Sequence, residues 1–257
     1  MKKYQLFKTL ILSFIVVITS CSSSESINIE EDDTTNPTAT NYDLTPILTY
    51  FDNVDAVTYV VNGNSITFTT TDLPNHTSPY WDSSHQLYEA YNGTNSNFRK
   101  NPNSIGEQNI TFTITLNPKE ADNKSDTPMG PIGIARNGVV FFNQYAAGGA
   151  DLDGEIDSFD QWLGHPAGTQ YHYHIEPTYL TSQFGKNSFL GLLSDGFPVY
   201  GPEENGSTIT SDDLDDYHGH TSATADFPEG IYHYHITSDT PYLNGNGFFG
   251  TAGTITR

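Results

Sequence analysis

Short stretches of alternating apolar and polar residues run along most of the chain after residue 42. Ile110, Phe112, Ile114 and Leu116 alternate with Thr111, Thr113 and Thr115, the period-2 pattern of a strand with one buried face. Ile66 and Phe68 do the same between threonines. No stretch sustains helical spacing beyond short turns near Asp157–Leu163. The expected fold is therefore all-β, a sandwich or barrel-like single domain over residues 42–257.

The patterning repeats. IGIARNGVVFFN (132–143) aligns without gaps to LGLLSDGFPVYG (190–201), each an apolar strand, a turn and a second apolar strand. Asn137-Gly138 and Asp195-Gly196 predict tight type I′ hairpin turns. Downstream, Asp160-x-x-x-Gly164-His165 corresponds to Asp215-x-x-x-Gly219-His220, and Tyr171-His172-Tyr173-His174 to Tyr232-His233-Tyr234-His235. The stretch between the GH and YHYH motifs differs in length by six residues. Two units, about 128–186 and 187–250, are expected to pack around a pseudo-two-fold axis, each a hairpin plus a GH…YHYH segment. Residues 42–127 are expected to add strands to the same body.

The start of the chain reads differently. Lys2, Lys3 and Lys8 flank an apolar run that is too short to span a bilayer, which marks residues 1–20 as a secretory leader. The leader ends in Ile18-Thr19-Ser20-Cys21, similar to a bacterial lipobox, so Cys21 is the expected lipid-attachment residue. Residues 21–41 are polar and acidic, the composition of a tether. The expected location is the outer membrane, lipid-anchored, on its periplasmic face or at the cell surface, with membrane lipid as a partner through Cys21.

Composition narrows the function. Ten Lys+Arg against 31 Asp+Glu give a net charge of −21, which excludes nucleic acid and anionic headgroups as partners. Metal cations, glycans and other small molecules remain. Cys21 is the only cysteine, so the domain has no thiol ligand and no disulfide.

The candidate chemistry lies in the histidines. On a strand, residues i and i+2 share a face, so His172 and His174 point one way, and Tyr171 and Tyr173 the other. Adding the GH histidine and the preceding aspartate gives two candidate metal sets: His165, His172, His174 and Asp160, and His220, His233, His235 and Asp215. Imidazole and carboxylate suit Zn, Cu, Fe or Mn. The competing reading makes the histidines structural. Glu176 or a tetrad tyrosine is a candidate acid or base, and His218 is expected to be exposed. The acidic loop Asp151, Asp153 and Asp157 is a candidate calcium site, although its glycine is misplaced for an EF-hand. Tyr80 and Trp81 are candidate ligand-stacking residues.

Both YHYH tetrads, both GH pairs, SDGFPVYG (194–201) and PYLNGNGFFG (241–250) resemble the YHYH-domain proteins, a family of secreted or lipid-anchored bacterial proteins, over roughly residues 65–254. Members carry cysteines near positions here occupied by Leu163, His218 and Phe248, which implies that those cysteines are dispensable as ligands. The resemblance implies the domain and no particular activity. The expected function is a metal-dependent enzyme acting on an extracellular substrate such as polysaccharide fragments. The alternatives are a non-catalytic glycan- or protein-binding module and a metal-capture lipoprotein.

Overall fold

The computed structural model describes residues 42–257. The leader, Cys21 and the tether lie outside the described residues. Among the described residues, no helix is long and apolar enough to cross a membrane.

The threonine-rich alternation forms a four-stranded sheet. Strand β1 (Val57–Asn62) pairs with β2 (Ser65–Thr70), β2 with β3 (Ile110–Thr115), and β3 with the terminal β12 (Thr254–Thr256). Ile66 faces Ile114 and Phe68 faces Phe112, all four buried. The threonines occupy the other face, where Thr67 and Thr113 meet at 3.4 Å.

The duplicated region forms a single eight-stranded sheet. The first repeat supplies β4 (Pro131–Ala135), β5 (Val140–Phe142), β6 (Gly164–Ala167) and β7 (Gln170–Tyr173). The second supplies β8 (Phe189–Leu193), β9 (Pro198–Tyr200), β10 (Gly219–Ser222) and β11 (Ile231–His235). Their order is β10-β11-β9-β8-β4-β5-β7-β6, which places the repeats as mirror-ordered halves. At the centre, Gly133 pairs with Leu193, Ile134 with Leu192 and Ala135 with Gly191. The pseudo-two-fold axis thus passes between Ile134 and Leu192, which are equivalent positions. A Cβ on Gly133 would collide with the Leu192 carbonyl, and one on Gly191 with that of Ile134, so both glycines permit the close central approach.

The central strands β4 and β8 are buried at every position, and both sheets contribute to one hydrophobic core. The architecture is all-β and sandwich-like, without a closed barrel among the described residues.

Two local expectations are corrected. In the repeat hairpins only Gly138 (φ 91°) and Gly196 (φ 89°) have positive φ, so the turns are not type I′. Gly138 N–H donates to Ala135 O and Gly196 N–H to Leu193 O, a three-residue loop closed by a glycine in the bulge position. Helix is also slightly underestimated: Thr45–Leu48, Asp153–Ile156 and Thr178–Phe184 are helical.

Candidate metal centres

The GH and YHYH motifs are adjacent strands. His165 lies directly across from His172, and His220 from His233. The i, i+2 rule brings the second tetrad histidine alongside, with His172 Nε2 3.0 Å from His174 Nε2 and His233 Nε2 3.1 Å from His235 Nε2. Each cluster therefore gathers three imidazoles at one end of the eight-stranded sheet.

The outer hydrogen bonds fix which nitrogens face inward. His172 Nδ1 donates to Gln170 O and His174 Nδ1 to Asn143 O; His233 Nδ1 donates to Ile231 O and His235 Nδ1 to Gly201 O. A carbonyl only accepts, so the Nδ1 atoms carry the protons and the Nε2 lone pairs face one another. His165 follows the same logic. Ser158 Oγ donates to Glu155 O and so accepts from His165 Nδ1 at 2.7 Å, which leaves His165 Nε2 bare. His165 Nε2 and His220 Nε2 are buried without a hydrogen-bond partner. Lone pairs about 3 Å apart repel unless a cation lies between them, and these separations are edge lengths for ligands about 2.0–2.1 Å from a common metal.

A glutamate lies beside each cluster, but only the second is within mutual ligand distance of all three imidazoles. Glu155 Oε2 is 3.4 Å from His165 Nε2 and 3.8 Å from His174 Nε2. Glu204 Oε2 is 3.3 Å from His220 Nε2, and its Oε1 is 3.6 Å from His233 Nε2. The Ser222 hydroxyl donates to Glu204 Oε1. His165, His172 and His174 in the first cluster, and Glu204, His220, His233 and His235 in the second, could each hold a metal ion; Glu155 stands beside the first set without joining it.

The electrostatics suit neutral ligands. Burial pushes His165 down to about 3 and His174 to about 4, and drives His172 well below the usual imidazole range. In the second cluster burial lowers His233 to about 4 and also depresses His235. Burial alone would raise Glu204, but the Ser222 bond and the facing imidazoles hold it below the ordinary carboxylate value.

Asp160 and Asp215 fall outside both clusters. They lie behind the strands, on the tyrosine face. Asp160 accepts from Ser78 Oγ (2.6 Å), Tyr171 Oη (2.9 Å) and Trp162 N (2.8 Å). Asp215 accepts from Tyr232 Oη (3.0 Å), Tyr217 N (2.9 Å) and Gly219 N (3.1 Å). The D-x-x-x-G-H motif is thus a folded turn, its aspartate binding the tetrad's first tyrosine. A Cβ on Gly164 or Gly219 would collide with that tyrosine's hydroxyl. The shared D-x-x-x-G-H spacing singled out the aspartates because they coincide between repeats. Glu155 and Glu204 fall where the repeats do not align, although each lies between its hairpin and its GH motif.

Other candidates are relocated. Asp151, Asp153 and Asp157 do not converge on a cation site, and Asp157 Oδ1 accepts from Asn95 Nδ2. That loop instead delivers Glu155 to the histidines. Tyr80 is fully buried with its hydroxyl on Ser158 O, and Trp81 is buried with its indole N–H on His76 O, so neither is an open stacking platform. His218 is buried rather than exposed, its Nε2 3.0 Å from Thr237 Oγ1. Glu176 accepts from Thr181 Oγ1, and the tetrad tyrosines face away from the imidazoles.

Surroundings separate the two clusters. In the first, all three imidazoles are buried and Phe142 stacks on His172, with centroids 3.8 Å apart at 15°. In the second, the His220 side chain is 26% exposed, and a cavity of about 350 Å³ opens onto His233, His235 and Glu204, walled by Tyr200, Asn187 and Thr224.

The family model of the YHYH proteins matches residues 111–209 and 203–247. The chain belongs to that family. No curated protein and no solved structure matches.

Proposed function

We propose that the His₃ cluster and the His₃Glu cluster each bind one divalent transition metal, that the first ion is structural, and that the second is the working centre of a metal-dependent enzyme. The observation that carries this reading is the cavity that meets the second cluster and not the first. Structural metal sites are closed, whereas catalytic sites keep a position open to substrate. A metal held by His220, His233, His235 and Glu204 would supply Lewis-acid or water-activating chemistry. Ser222 fixes Glu204 Oε1, leaving Oε2 toward His220. Tyr200, Asn187 and Thr224 present hydrogen-bonding groups along the cavity wall.

No lysine or arginine lines the cavity, while Glu203 and Glu204 do. An uncharged, hydroxyl-bearing substrate such as a glycan fragment therefore fits better than an anion. The binding-module alternative loses its stacking platforms, since Tyr80 and Trp81 are buried. Export, lipid attachment at Cys21 and an outer-membrane location belong to the same proposal, supported by the lipobox-like sequence.

The test is elemental analysis of protein purified without a histidine tag, followed by timed chelation. Two metal equivalents removed in two phases are expected, with the fast phase absent from His220→Ala. A protein that neither carries metal nor takes it up would overturn the proposal. Palmitate labelling lost in Cys21→Ser tests the anchor.

A further inference from the structure

One cavity belongs to neither cluster. It encloses about 730 Å³ beside the first repeat's hairpin turn, between the N-terminal segment and the helix Thr178–Phe184. Cavities of about 300–1,000 Å³ are typical of small-molecule sites.

Arg136 is its distinctive feature. Its guanidinium carbon lies 4.2 Å from the Tyr50 ring centroid and 3.7 Å from that of Phe184, so two aromatic rings pack against the group. Tyr50 is itself held by Asp226, through its hydroxyl at 2.5 Å, and by stacking on Phe189. Among the described residues, no carboxylate comes within 4.0 Å of a guanidinium nitrogen, and no acceptor bonds its side-chain N–H groups. A guanidinium held against two rings keeps its planar fork of donors free, and that fork takes a carboxylate bidentately. Arg136 has no counterpart in the second repeat, where Ser194 occupies the equivalent position.

The remaining wall is of two kinds. Leu73, Leu87, Leu180 and Trp81 are apolar, whereas Asp52, Asp55 and Glu107 are carboxylates. An anion alone would meet the carboxylates unfavourably; a ligand with an ammonium group as well would satisfy both.

We propose that this cavity binds a small zwitterion, a short peptide with an apolar C-terminal residue, its carboxylate on Arg136 and its ammonium among the acidic side chains. Apolar wall residues take the side chain.

The test is calorimetric titration of the full chain with alanyl-leucine, its C-terminal amide and its N-acetyl form. Saturable binding of the free dipeptide is expected, weakened about tenfold or more by either cap. Arg136→Gln should lose the distinction between acid and amide while keeping the wild-type melting temperature. No saturable binding below about 10 mM, or equal affinity for acid and amide, overturns the proposal. Equal affinity for the N-acetyl form overturns the zwitterion. Should Arg136→Gln fail to fold, the wild-type comparison of the three ligands still decides. The metal clusters take no part in this measurement, so its outcome is independent of theirs.

Discussion

The two histidine clusters place three imidazoles in the same register, with matching carbonyl acceptors behind the tetrad histidines, yet the cavity beside Tyr200 meets the second and not the first. The difference can be traced to one loop and one aromatic residue. In the first repeat β6 and β7 are joined by Gly168 and Thr169 alone, whereas β10 and β11 are joined by residues 223–230. The longer loop supplies Thr224 and Asp226, which accept or share the Tyr200 hydroxyl at 2.9 and 2.8 Å. Tyr200 is the equivalent of Phe142. Held by its hydroxyl, it meets His233 edge-on, at 5.1 Å and 71°, where Phe142 lies flat on His172. Ala223, Thr224 and Ala225 then wall the space that remains. The repeats share the three imidazoles, while the longer loop of the second changes access to them.

Removing a ligand from each cluster should separate their roles most strongly. His165→Ala takes a buried imidazole from the closed cluster and leaves Ser158 Oγ and the neighbouring lone pairs unanswered. It should lose one metal equivalent and lower the melting temperature by about 10 °C or more. His220→Ala removes a partly exposed imidazole. It should lose the other equivalent with a shift of only about 2–4 °C. Equal destabilisation by the two changes would end the division into structural and working centres.

Acidification should come next. Burial depresses His76, His165, His172, His174, His218, His233 and His235 below their unfolded value of 6.5. The unfolded chain therefore binds more protons than the native one as pH falls through 6.5 toward about 4, and stability is lost across that window. Burial raises Asp72, Asp160 and Asp195, the last two to about 6, which favours the native state on acidification. Three such groups oppose seven. Metal-free protein should consequently melt at progressively lower temperature from about pH 7 to about pH 4.5, as followed by circular dichroism. A flat or rising profile would mean that the imidazoles are not held neutral.

Much of this was legible in the sequence, for reasons that also explain what was not. The alternating threonine strands and the palindromic sheet follow from local periodicity and from the duplication. Placement of His172 and His174 on one face, and of Tyr171 and Tyr173 on the other, follows from the pleat. The carboxylates did not follow, because a spacing shared by the repeats is equally well satisfied by a turn that binds a tyrosine. Glu155 and Glu204 reach their imidazoles from segments of unrelated length and conformation, a short helix in one case and a two-residue strand in the other. Exposure was misjudged at His218, Tyr80 and Trp81 because burial there depends on contacts between distant segments, such as Tyr80 with Ser158. Arg136 had no visible signal, since its role depends on rings from Tyr50 and Phe184.

Asp160→Asn makes the turn-versus-ligand distinction measurable. An amide at this position would set an N–H₂ against the Ser78 or Tyr171 hydroxyl, both of which donate to Asp160 Oδ2. The buried mismatch should cost about 1–3 kcal/mol in urea titration, with both metal equivalents retained. Asp215→Asn, at an exposed position, should cost less and also leave the metal in place. Loss of metal from either folded variant would return the aspartates to the ligand set.

The smallest effect should come from Tyr200→Phe, and it bears most directly on how the clusters diverged. Without its hydroxyl the ring loses Thr224 and Asp226 and has no reason to remain edge-on. The equivalent Phe142 shows the resting place available to it, flat against the first tetrad histidine. Stacked there, the phenyl ring would cover His233 and narrow the cavity without touching a ligand atom. Metal content and melting temperature should hardly change, while isotope exchange at the second cluster slows severalfold, about 1 kcal/mol in barrier. Replacing residues 223–230 by Gly-Thr, the first repeat's connection, should slow it further because the cavity wall itself is gone. If exchange is unaffected by both changes, access to the second metal is set by the exposed edge of His220 instead, and the loop insertion serves the cavity's shape rather than its opening.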